Sequence, residues 1–236
     1  SWGIRLSLLD ESATPTGSLK HRMARALFRH AIRCGRIGRN TLVIEATGGN
    51  AAVSQAYFAR LLDLPFVAVM PRKSSPEKIE RIERHGGAVR LVHPPLAIYD
   101  EAEKLAGEYG GHYMDYLANG ARAVAASGGD DDIGRVLFER LALEGAPAPA
   151  WVVTGAGSGT TATMIGRYIR RHGLDTRLAV VAPENSAYFP GWVMESGEYT
   201  TGMPSRIEGI GRPRIEPSFD IAVVDLVVPV PDAASL

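Results

Sequence analysis

Cysteine is almost missing from this chain. Cys34 is the single one among 236 residues. That excludes an internal disulfide framework and a cysteine-rich zinc site, so no metal is expected and a reducing, cytoplasmic setting is. Cys34 falls within a helical pattern and reads as a structural residue. An excess of one charge is missing too, since 26 basic and 26 acidic residues cancel. Neither sign gathers into a run apart from Asp130, Asp131 and Asp132, which argues against a nucleic-acid-binding tail and a membrane-surface patch. A neutral small molecule or an amino acid is the more natural partner. No window approaches the roughly 18 apolar residues of a spanning helix. The charged start, apolar stretch and small-residue cleavage site of a secretory leader are also lacking. Neither a fixed-period repeat nor an extended low-complexity tract is present.

What is present is alternation. Residues 4–9 suit a strand, and a turn at 14–17 leads into a helix over 18–33, where Leu19, Met23, Ala26, Leu27 and Ala31 recur at helical spacing. Short apolar runs at 41–46, 66–70, 88–92, 151–154 and 178–182 read as strands, the first of them of buried type. They alternate with helices at 51–62, 76–85, 97–109, 133–143 and 162–171. Such alternation predicts an α/β fold with mostly parallel sheets. The pattern lapses between 118 and 132, and a subdomain boundary is expected there. Residues 184–214 are rich in Gly, Pro, Ser and aromatics, too irregular for core elements and too long for an ordinary connection, which suggests a functional loop. The chain opens in a strand-like run and stops at an apparent helix start, so it reads as part of a longer protein.

Three segments carry chemistry. Pro15 and Gly17 form a turn, Ser18 can cap a helix, and Lys20 follows in the first turn. Taken alone, such a lysine is a solvated residue as readily as a reactive amine. Gly155, Ala156, Gly157, Ser158, Gly159, Thr160 and Thr161 link a strand to a helix. Their glycines let backbone amides approach an anion, and their hydroxyls add donors beside a helix N-terminus. The same residues could simply form a tight turn. They lack the lysine of a nucleoside-triphosphate loop and the spacing of a dinucleotide fingerprint. The third segment is Thr47, Gly48, Gly49, Asn50 and Ala51. A reactive lysine, a phosphate cup and a second loop are together what pyridoxal phosphate requires. Lys20 would form the Schiff base, the second loop's amides would suit a substrate carboxylate, and Asn50 would reach the cofactor's phenolic oxygen.

These residues resemble the fold-type II pyridoxal-phosphate enzymes, the superfamily of cysteine synthase, cystathionine β-synthase and the tryptophan synthase β-subunit. The family's Pro-Thr-Gly-Ser-x-Lys motif falls on residues 15–20, its Thr-Ser-Gly-Asn-Thr loop on 47–51, and its glycine-rich cup on 155–161. Its Gln-Gly-Ile-Gly segment falls on Glu208, Gly209, Ile210 and Gly211. Within the family, residues 11–22, 183–192 and 204–214 are most similar to L-cysteine desulfhydrases of actinobacterial type. The resemblance implies two three-layer α/β/α subdomains: 1–40 with 130–236 as the larger, cofactor-binding one, lacking its C-terminal part, and 41–129 as the smaller, mobile one. It also implies a homodimer. The hydroxyl that pairs with the pyridine nitrogen in this family would lie beyond residue 236.

Two departures bear on the substrate. Gly48 stands where the synthase loop has serine and Ala51 where it has threonine, which removes two hydroxyls and leaves the amides. The resemblance implies β-elimination on a small amino acid, with L-cysteine giving sulfide, pyruvate and ammonia. The alternatives are cysteine synthesis from O-acetylserine and sulfide, and a non-catalytic binding or regulatory relative. His21 and Arg22 read as a solvated first turn. Tyr188, Phe189 and Trp192 read as core or site aromatics, and Glu208 as an orienting residue or an exposed ion pair.

Overall fold

The computed structural model describes residues 3–146, 148–203 and 207–234. The expected positions Ser1, Trp2, Pro204 to Arg206, Ser235 and Leu236 lie outside them. Element order is α1 (Lys20–Arg33), β1 (Val43–Glu45), α2 (Asn50–Leu61), β2 (Phe66–Pro71), α3 (Pro76–Glu83), β3 (Ala88–Val92), α4 (Ile98–Tyr109), β4 (His112–Tyr113), α5 (Tyr116–Ser127), α6 (Ile133–Leu143), β5 (Trp151–Gly155), α7 (Thr160–Arg171), β6 (Arg177–Pro183), α8 (Tyr188–Val193) and β7 (Leu226–Val230). Short 3-10 turns intervene. No helix among the described residues is long and apolar enough to cross a membrane.

Two parallel sheets result. One has the order β3-β2-β1-β4 and the other β5-β6-β7. Val43 of β1 lies against Phe66 of β2 on one side and His112 of β4 on the other. β1 is thus central, and Val43, Ile44 and Glu45 are all buried. Strand order reverses between β1 and β4, because β2 and β3 run outward on one side while β4 returns to the other. A crevice opens at the carboxyl ends of strands at such a reversal, where α/β folds bind ligands. α1 packs its face of Met23, Ala24, Leu27, Phe28 and Ala31 into the main core.

The structure differs from the sequence expectations in several details. Residues 4–9 form no strand, because their alternating apolar residues find no strand to pair with, and Ile4, Leu6 and Leu8 stay exposed. The lapse at 118–132 contains α5. Asp115, in the left-handed region at φ 43°, caps that helix by accepting from the Ala118 amide. Its small residues permit close packing: a Cβ on Gly120 would meet Thr160 Oγ1 at 2.7 Å. Strands β4 and β7 are additional to those expected, and the 184–214 stretch includes the short helix α8. Cys34 is exposed at the C-cap of α1.

A cavity of about 1230 Å³ lies away from the strand-order reversal. Ile4, Leu6, Leu8, Leu137, Trp151 and Val153 line it, and Lys20, Tyr116 and Arg212 do not. Its apolar lining offers little to a charged ligand, and the chemistry sits elsewhere.

Candidate active site

The Lys20 amine lies between the loop after β5 and the start of α5. As the first residue of α1 it follows the turn in which the Gly17 amide donates to the Thr14 carbonyl at 2.8 Å. Its Nζ donates to Ser158 Oγ at 3.4 Å and lies 5.5 Å from the centre of the Tyr116 ring. Lys20 is only part-buried along its stem, but its amine is enclosed. Burial and the nearby positive charge of Arg212 lower that amine's pKa to about 8. A neutral, nucleophilic amine is therefore available well below the pH at which a solvated lysine loses its proton.

Ser158 belongs to the cup. Its hydroxyl donates to Thr160 Oγ1 at 3.1 Å and accepts from the Thr160 amide at 3.4 Å. The amides of Gly157, Ser158, Gly159 and Thr161 meet no acceptor among the described residues. They cluster at the N-terminus of α7, where orphan amides and the helix dipole favour an anion. Gly157 must be glycine, since a Cβ there would collide with the Gly209 carbonyl oxygen. Gly159 caps α7 at φ 82°, against Phe219, a conformation that L side chains rarely adopt. The Gly211 amide donates to the Ala156 carbonyl at 2.7 Å, and a Cβ on Gly155 would meet Ile210 Cγ2 at 2.9 Å. The 209–211 segment therefore lies directly on the cup. Tyr188, fully buried, braces it from below by donating its hydroxyl to the Gly157 carbonyl at 2.5 Å. The cup's small-residue walls, orphan amides and adjacent amine fit a phosphorylated aldehyde such as pyridoxal phosphate.

The second loop leaves the carboxyl end of β1. The amides of Gly48, Asn50 and Ala51 have no acceptor among the described residues, and the side chain of Thr47 reaches the Tyr116 phenol. Gly48 has a physical reason to be glycine: a Cβ would run into the Met70 methyl group, and Met70 is fully buried. The Asn50 side chain is exposed and accepts from Arg81 Nη2 at 2.9 Å, and no hydrogen bond joins it to Lys20 or the cup. Thr161 also lines the apolar cavity.

Several residues that the sequence left unremarked converge here. Glu45, 1% exposed, accepts from the Ala46 amide at 2.9 Å, from Gln55 Nε2 at 2.7 Å and from the Tyr116 amide at 3.1 Å. It thereby ties the carboxyl end of β1 to the start of α5. Burial pushes its carboxyl up to about 7, against the pull of those three donors. Burial also raises the Tyr116 phenol. Arg212 follows directly on Gly211. Its Nε donates to Glu216 at 2.6 Å and its Nη2 to the Tyr99 hydroxyl of α4 at 3.0 Å. Only adjacency to the glycine motif could have drawn attention to Arg212 in the sequence. Nothing there distinguished Tyr116, whose place at a helix start was hidden with α5.

The weaker candidates take structural positions. His21 is buried, not solvated: its Nδ1 lies 3.2 Å from Thr16 Oγ1 and its ring packs on Phe58 and Tyr57. Arg22 pairs with Glu11 at 2.7 Å. Glu208 forms an exposed ion pair with Lys78 at 2.9 Å. Phe189 and Trp192 pack against the core, and Trp192 Nε1 donates to the Val224 carbonyl at 3.1 Å.

Comparison with known proteins gives a consistent picture. The sequence profile described as "Pyridoxal-phosphate dependent enzyme" matches residues 1–235. L-cysteine desulfhydrase Cds1 of Mycobacterium tuberculosis is 51% identical over 235 residues, covering 99% of this chain and 63% of its own length. The chain thus spans somewhat under two thirds of that relative. Among solved structures, an O-ureido-L-serine synthase is 26% identical with a TM-score of 0.80, over 95% of this chain and 67% of its own. A hydrogen sulfide-producing enzyme of Fusobacterium nucleatum, 20% identical with a TM-score of 0.80 over 95% of this chain and 70% of its own, shares the fold.

Proposed function

The chain belongs to the pyridoxal-phosphate-dependent enzyme family, and from that premise we propose that the complete protein is a lyase that eliminates the β-substituent of a small amino acid. L-cysteine is the substrate proposed, with sulfide, pyruvate and ammonia as products. The observation that carries this reading is the Lys20 amine, lowered to about 8 and hydrogen-bonded to the cup. The similarity to a cysteine desulfhydrase over nearly the whole chain supports the choice of substrate.

When bound, the cofactor supplies an electron sink for the charge left at the substrate's Cα. The chain's residues do the rest. The orphan amides of Gly157, Ser158, Gly159 and Thr161, with the Ser158 and Thr160 hydroxyls, hold the phosphate. Gly209, Ile210 and Gly211 bound the cup on one side. The amides of Gly48, Gly49, Asn50 and Ala51 would take the substrate carboxylate, and Asn50 would be the partner of the cofactor's phenolic oxygen. Freed Lys20 Nζ removes the Cα proton as general base, and its lowered pKa keeps a useful neutral fraction near neutral pH. The proposal takes residues 41–129 as the smaller mobile subdomain and the protein as a cytoplasmic homodimer.

A paired assay on the full-length protein tests the reaction. Incubation with L-cysteine is expected to release sulfide and pyruvate in equal amounts. O-acetylserine with sulfide should yield cysteine more slowly. The reverse preference would make the protein a synthase, and no turnover of either would leave it a binding relative.

A further inference from the structure

We propose that Arg212 determines leaving-group specificity: its guanidinium meets the β-substituent of the substrate and carries the negative charge that appears on sulfur as the Cβ–S bond breaks. This rests on the reading of the site as one for β-elimination.

Arg212 is held from both ends. Its amide donates to Ser186 Oγ at 3.2 Å and its carbonyl accepts from the Ala187 amide at 2.8 Å. Its Nε is bound by Glu216, which is fully buried, and its Nη2 by Tyr99. Nη1 has no acceptor among the described residues, and 24% of the side chain remains exposed. The guanidinium is thus fixed in orientation and still has donors to offer, as a preorganised anion site requires. Its field reaches the Lys20 amine and the Tyr116 and Tyr188 phenols, which places it at the same cleft.

Glu216 is shared. It accepts from Arg212 at 2.6 Å and from Arg214 at 3.2 Å. Arg214 is 55% exposed and also feels Asp115, whereas the mostly buried Arg212 faces a lysine that it repels. An anion beside Arg212 would relieve that repulsion. The cup has its own amides for phosphate, and the loop after β1 has its own for a carboxylate. The remaining negative charge of the reaction is the one on the departing group. As Lys20 Nζ takes the Cα proton, a Cα–Cβ double bond forms and the Cβ–S pair leaves with sulfur as hydrosulfide beside Arg212. The proton now on Lys20 can then neutralise it to hydrogen sulfide.

The full-length, cofactor-loaded enzyme should be compared with its Arg212→Gln and Arg212→Lys variants. Three rates are read: elimination from L-cysteine, elimination from β-chloroalanine, and exchange of the Cα proton in D2O. Chloride departs unaided, and exchange needs no departure at all. For Arg212→Gln, sulfide release is expected to fall about 100-fold, the usual scale for loss of one charge-stabilising donor. Chloroalanine elimination and exchange should stay within about fivefold, and Arg212→Lys should recover part of the loss. In the cofactor-free protein, the pH midpoint for capture of pyridoxal phosphate should move upward in Arg212→Gln, as the charge opposing the Lys20 proton disappears. Equal losses in all three rates, or none, would overturn the proposal. If Arg212→Gln does not fold, the cysteine-to-chloroalanine ratio of Arg212→Lys decides by the same criterion. A wild type that releases no sulfide would instead sink the functional reading, and this inference with it.

Discussion

Glu45 does not behave as an ordinary carboxyl. A carboxyl at the end of a central strand, 1% exposed and without a cationic partner, is costly to ionise, and its pKa is raised to about 7. Gln55 Oε1 beside it is buried without a partner. Turning that amide over would present Oε1 to a protonated Glu45. The consequence for stability has a definite sign. Between the ordinary value of 4.5 and about 7 the native state keeps a proton that the unfolded chain has lost, so stability is greatest at low pH and falls as pH rises through that window. Denaturant titrations of the full-length protein at pH 5 and pH 8 should show the wild type losing about 2 kcal/mol more than Glu45→Gln. An equal loss would mean that the carboxyl titrates normally.

At the level of elements, the glycine-rich turns position the site more than the helices do. Gly157→Ala would drive a Cβ into the Gly209 carbonyl and displace the 209–211 segment that closes the cup. Affinity for pyridoxal phosphate should fall at least tenfold, about 1.4 kcal/mol, while far-ultraviolet circular dichroism stays unchanged. Unchanged affinity would remove the cup from the cofactor site. Legibility in the sequence follows from the same physics. The cup and the Lys20 turn announced themselves because glycine, proline and small hydroxyls are demanded by backbone geometry. The β-branched and apolar runs of β1, β2, β3, β5 and β6 were readable as strands, though every residue of β3 and β5 is exposed or half-buried. α5 was not: Leu117, Ala121 and Val124 form a thin apolar stripe among small residues whose burial depends on contact with α1 and Thr160. Residues 4–9 failed in the opposite sense, since alternation describes a strand only where a neighbour supplies the hydrogen bonds. Glu45, Tyr99, Tyr116 and Arg212 become a group only through topology that brings β1, α4, α5 and the stretch after Gly211 together.

Across the whole molecule, polar links tie the elements around one sheet to those around the other. Tyr99 to Arg212 and Lys78 to Glu208 join the elements around the first sheet to the segment beside the cup. α1 serves both halves, packing on α2 and α5 while presenting Lys20 at its first turn. The account therefore turns on one amine. The most direct measurement is the visible spectrum of the full-length protein with pyridoxal phosphate, recorded with cysteine-dependent sulfide release for the wild type and for Lys20→Ala. The wild type should show a lysine-bound cofactor band and release sulfide, and Lys20→Ala should lose both. A Lys20→Ala protein that keeps the band and the sulfide release would contradict the account.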